Sequence, residues 1–73
     1  MTPNEKFQLT RKRAGLSQGR VAKRAGTDQN AVSQYELGHR KLNPALVARL
    51  EDALRAELAD MAQEARHLLQ YIS

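Results

Sequence analysis

Residues Gly26 to Gly38, GTDQNAVSQYELG, contain the reading on which the fold of this chain turns. They predict a short helix of about two and a half turns. At about 100° per residue, Gln29, Asn30, Ser33 and Gln34 fall within an arc of about 140°, with Ala31, Val32 and Tyr35 on the other side. One face packs and the other presents amides. An Asn or Gln amide can bond adenine bidentately in a major groove, whereas a polar helix face taken alone is more often an ordinary solvated surface. The neighbouring residues must choose between these.

Upstream, Thr2-Pro3-Asn4-Glu5 predicts a helix start, with Thr2 as N-cap, Pro3 at the first helical position and Glu5 completing a capping box. That helix runs to about Ala14 and stops at Gly15, with Phe7, Leu9 or Thr10, and Ala14 on its buried side. Lys6, Lys12 and Arg13 then face solvent or phosphate. Ser17 caps a second helix whose apolar stripe is Val21, Ala22 and Ala25. Gly19 in its first turn is a poor helix former, and Arg20 stands where a capping glutamate would serve better. Gly26 ends this helix, because a residue without Cβ accepts the left-handed conformation. Asp28 opens the next helix as its N-cap, with a contact to cytosine N4 as the competing role.

Downstream, Gly38-His39-Arg40-Lys41 is a loop that offers Arg40 and Lys41 to phosphate, and Asn43-Pro44 restarts a helix. After Pro44 there is neither Gly nor Pro, so the rest is one long helix or two with a slight break near Leu54. Leu54, Leu58, Met61, Ala65, Leu68 and Ile72 step by alternating four and three residues, the rhythm of coiled-coil core positions. Glu57 and Glu64 flank that seam with no obvious cation to meet. The seam either folds back over the small core, pairs with a second copy, or takes a second protein, and pairing is the favoured expectation.

Taken together, Gly15-Leu16-Ser17-Gln18, Val21-Ala22, Gly26, Val32-Ser33, Tyr35-Glu36, Gly38, Arg40, Val47, Leu50 and Ala53-Leu54 resemble the helix-turn-helix pattern of the phage lambda repressor and Cro-like (XRE-type) family over about residues 7–54. The resemblance implies an all-α, lambda repressor-like domain of four to five helices with an extended C-terminal helix. Residues 1–54 would be the DNA-binding domain and residues 55–73 an amphipathic dimerisation helix. It also implies that the helix from Asp28 to Glu36 lies in the major groove. Gln29, Asn30 and Gln34 match base-contacting positions, with Ser33 on the same face, and Gln18 matches a position that meets the backbone and sometimes a base. Ser17, Arg20, Lys12, Arg40 and Lys41 complete the expected phosphate contacts. Arg11 and Glu36 match a pair that the family buries, which assigns them to structure. Thr10 in place of leucine, Gly19-Arg20 in place of two glutamates, and Leu42 in place of proline are departures from the pattern.

Composition sets the outer limits. Seventy-three residues suit one small domain with a modest core. The chain has no cysteine and only His39 and His67 as imidazoles, which argues against disulfides, a zinc site and catalytic constellations. No cofactor is implied. Neither a leader nor a membrane span is legible, so a cytoplasmic location is expected. The net charge of +4 is divided unevenly: residues 1–49 carry ten Lys or Arg against three acids, and residues 50–73 carry two against five. A basic head suits a polyanion, since neutralising phosphates releases counterions. The expected function is a homodimeric transcriptional regulator, most simply a repressor, that reads double-stranded DNA at a palindromic operator. The competing expectations are an antiactivator or antitoxin whose tail binds another protein, and a recombination-directionality factor.

Overall fold

The computed structural model describes residues 1–39 and 42–72. Four helices form, α1 (Pro3–Arg13), α2 (Gln18–Ala25), α3 (Gln29–Leu37) and α4 (Pro44–Leu69), with no strand among the described residues. Each begins at a side chain that accepts a bond from a backbone N–H otherwise left without a partner. Thr2 Oγ1 accepts from Glu5 N while Thr2 N donates to Glu5 Oε1, closing the capping box. Ser17 Oγ accepts from Arg20 N at 3.0 Å, Asp28 Oδ1 from Ala31 N at 2.9 Å, and Asn43 Oδ1 from Ala45 N at 2.7 Å. Asp28 is therefore the N-cap of α3.

The core gathers Phe7 from α1, Leu16 from the first turn, Val21, Ala22 and Ala25 from α2, Val32 from α3, and Leu50, Ala53 and Leu54 from α4. Val21, Val32 and Leu50 are wholly enclosed and mark its centre. Phe7 and Tyr35 meet edge to face at 5.2 Å, which seats α1 on α3. The expectation that Leu9 or Thr10 is buried is corrected, since both are exposed. The inward positions of α1 are Phe7 and, four residues on, Arg11. A charged residue there escapes any reading that seeks the buried face among apolar residues alone.

The tight turn between α2 and α3 is built on Gly26, whose φ of +73° is costly for any residue with a Cβ. A second component comes from α4. Arg49 Nε and Nη2 donate to Ala25 O at 3.1 and 2.7 Å, and Nη2 also donates to Gly26 O at 3.0 Å. A guanidinium thus serves the carbonyls at the C-terminus of α2, where the helix dipole favours a cation.

The fourth helix is continuous through Leu54, with no break there, so the described residues form four helices and the point between residues 54 and 55 lies inside α4. At 1.5 Å per residue its 26 residues span about 39 Å. The molecule is correspondingly long and narrow, 47 × 25 × 16 Å. This continuity corrects two expectations about the tail. Leu54 is only 6% exposed and belongs to the core of the head, and Leu58 packs against that core, so neither begins a free seam. Met61, Ala65, Leu68 and Ile72 are exposed, Ile72 lying beyond the helical end at Leu69. Glu57, expected to face no cation, is buried between two arginines of α2.

Candidate nucleic-acid interface

The exposed side of α3 is created by what its other side must do. Val32 is sealed into the core and Glu36 beside it is buried, which turns Gln29 and Asn30 outward to solvent and leaves Ser33 and Gln34 half-buried at the edges. Glu36 is then fixed by both its carboxylate and its backbone carbonyl. Arg11 Nε donates to Glu36 Oε2 at 2.5 Å and Arg11 Nη2 to Oε1 at 2.8 Å, a two-pronged charge-assisted pair. Arg11 Nη1 donates to Leu16 O at 2.9 Å, so the same guanidinium holds the turn before α2. Asn4 Nδ2 donates to Glu36 O at 3.2 Å from the start of α1.

Burial pushes the Glu36 carboxyl up, yet the bonds from Arg11 and Gln18 outweigh it and hold it below the usual glutamate range. Arg11 is shifted up in turn by its bond to Glu36. Both groups are charged at neutral pH, and no buried side-chain polar atom among the described residues lacks a partner.

From this anchor a polar relay runs outward. Gln18 Nε2 donates to Glu36 Oε1 at 2.9 Å, and Gln29 Nε2 donates to Gln18 Oε1 at 3.3 Å. An ionised carboxylate only accepts, so the Gln18 amide must turn its nitrogen to Glu36 and its oxygen to Gln29. Gln29 must then donate toward Gln18. Its own oxygen and second N–H stay available at the surface, the acceptor–donor pair that adenine N6 and N7 require. The first residue of α2 and the first of α3 are in this way oriented by an ion pair in the interior.

The expected phosphate contacts divide. Lys12 and Ser17 are exposed, the Ser17 hydroxyl serving also as the α2 cap. Arg40 and Lys41 lie outside the described residues, and His39 beside them is exposed. Arg20 is exposed as well but already has a partner. It lies about 200° round α2 from Gln18, away from α3, and its Nε donates to Glu57 Oε1 on α4 at 2.6 Å. The expectation for Arg20 takes no account of the acid that α4 supplies on that flank. Lys23, at about 140° on the same scale, is an exposed cation of α2 that the reading passed over. Asn4 and Arg49 were passed over as well. Their partners lie 32 and 23 to 24 residues away, and local pattern carries no trace of such a pairing.

Two helices joined by a glycine turn, with polar side chains of the second presented beside a basic α1, form a helix-turn-helix. The sequence profile of the helix-turn-helix family matches residues 8–62. The chain belongs to the lambda repressor/XRE-like helix-turn-helix family. No curated protein and no solved structure matches it. As a helix-turn-helix protein of this family it is a DNA-binding regulator, with α3 in the position of the recognition helix. Among the described residues no group of three or more His, Asp or Glu side chains converges as a metal site. None of the described helices is long and apolar enough to cross a membrane.

Proposed function

We propose that this helix-turn-helix protein is a sequence-specific repressor that binds a palindromic operator as a homodimer. The observation that carries the reading is the relay from Arg11 through Glu36 and Gln18 to Gln29, which presents an oriented amide from a rigid support. Gln29 and Asn30 read base edges, with Gln34 and Ser33 at the margins of the same face. Gln18, Ser17, Lys12, Arg40 and Lys41 hold the phosphates on either side. Orientation before binding matters because a side chain already ordered loses little entropy when it meets a base.

The exposed apolar stripe of α4, Met61, Ala65 and Leu68, with Ile72 just beyond the helix, supplies the contact between two copies. Met61 and Leu68 are 41% and 53% exposed on the face that, nearer the head, carries Leu54 and Leu58 into the core. The inward face of the helix therefore outruns the head that covers it. Two recognition helices would then enter successive major grooves about 34–36 Å apart. The same stripe also suits a second protein, as in an antiactivator or antitoxin.

Selection of bound duplexes from random DNA tests the whole reading. The expected product is an inverted repeat with half-sites one helical turn apart. Gln29→Ala should weaken the selected site by about 1–3 kcal/mol while leaving random DNA nearly unaffected. Equal losses on both would remove Gln29 from readout, and recovery of no preferred sequence would overturn specific recognition.

A further inference from the structure

The ion pairs at the root of the tail occupy a particular place. Glu57 is only 4% exposed, and α2 takes both of its carboxylate oxygens. Arg20 Nε donates to Oε1 at 2.6 Å and Arg24 Nη1 to Oε2 at 2.6 Å. Arg24 Nη1 also reaches Asp60 Oδ2 at 2.5 Å. From Ala59 to Ile72 every residue is exposed. This cluster is thus the last point at which the head grips α4 before the helix runs on alone.

Its position gives it leverage. Apolar burial is non-directional and tolerates a pivot between two packed helices, whereas guanidinium–carboxylate bonds have preferred angles. Two arginines one turn apart on α2, closing on a single carboxylate of α4, restrict the angle between those helices. The helix extends about 18 Å from Glu57 to Leu69, so each ~10° of pivot at the root moves the far end by about 3 Å. The helix that does the gripping, α2, is also the one that carries Gln18 and leads into the turn before α3.

We infer that Glu57 is a positioning residue for operator spacing: with Arg20 and Arg24 it fixes the direction in which the tail leaves the α2–α3 unit, and hence the separation of the two recognition helices. This rests on the dimer proposed above. A rigid dimer engages both half-sites only at the spacing its geometry permits, whereas a pivoting one has a lower effective concentration at the best spacing and a higher one at its neighbours.

The test uses the full chain as wild type, Glu57→Gln and Glu57→Leu. Glutamine keeps the shape and removes the charge, and leucine removes the carboxylate altogether; the two arginines that it releases have side chains 68% and 38% exposed, so water takes up their charge. Affinity is measured on duplexes carrying the half-site that the wild type selects, once alone and then as inverted repeats with the spacer stepped by single base pairs. Sedimentation is run in parallel. The expected result is that both variants remain dimers, bind the single half-site as the wild type does, and lose about tenfold or more of the preference for the best spacing. Dimers with an unchanged spacing profile in either folded variant would overturn the role of Glu57 and leave the dimer standing. A monomeric wild type at the concentrations that saturate the paired site would overturn the dimer and this inference with it.

Discussion

At the scale of single residues, the interior ion pair carries more than its own stability. Arg11 and Glu36 are both buried, so removing one leaves the other charge without its partner in a poorly solvating place. Arg11→Ala should destabilise the protein by about 3–5 kcal/mol in urea unfolding, and a double-mutant cycle with Glu36→Ala should return a coupling energy well above that of a surface pair. Additive losses would show that the two do not act together. Because the Glu36 carboxyl is held below its usual range, its contribution is complete at pH above the ordinary glutamate value, about 4.3, and is lost as the pH falls from there through its lowered folded value. A titration of unfolding free energy across that acid window should show the loss, and Glu36→Gln should flatten it. Gln18 and Gln29 depend on the same carboxylate, so the acid-induced loss of specific DNA binding should precede the loss of helix measured by circular dichroism.

At the scale of elements, the glycine within α2 and the glycine that ends it make opposite predictions. Gly26 has a positive φ, and a Cβ there would come within 3.1 Å of Arg49 Nη2, which itself serves the helix end. Gly26→Ala should therefore lower stability by about 1–2 kcal/mol and loosen the turn that aims α3. Gly19 lies inside α2, where a Cβ would meet nothing closer than Gln29 Oε1 at 3.9 Å. Gly19→Ala should instead raise stability by up to about 1 kcal/mol. Thermal unfolding of the two variants beside the wild type checks both signs. A gain at Gly26 or a loss at Gly19 would contradict this account of α2. The four N-caps were legible in the sequence because a cap bonds within three residues of itself. The C-terminal partners Asn4 and Arg49 were not, because helix ends recruit whatever the fold brings near them.

At the scale of the whole molecule, the head is complete by Leu58 and the rest of α4 projects from it. A chain ending at Leu58 should keep cooperative unfolding, since all nine residues of the core cluster lie within it, and should sediment as a monomer. A truncated head that still dimerises would relieve the tail of that role. The charge division visible in the sequence, with a basic head and an acidic tail, becomes a set of contacts in three dimensions, because Glu57 and Asp60 meet Arg20 and Arg24.

The sequence by itself determined the first three helices, the four helix starts, the glycine turn and the amide face of α3, because each depends on periodicity and on bonds between near neighbours; that the fourth helix runs unbroken past Leu54 came from the structure. It also indicated the pairing of Arg11 with Glu36, but only through resemblance to a family. Tertiary structure alone decided that Leu54 belongs to the core, that Arg20 faces α4, and that Gln18 turns its oxygen toward Gln29. Each of these is a choice among partners far apart in the chain, settled by which side chains the packed helices bring within reach and by the cost of burying a charge without its counterpart.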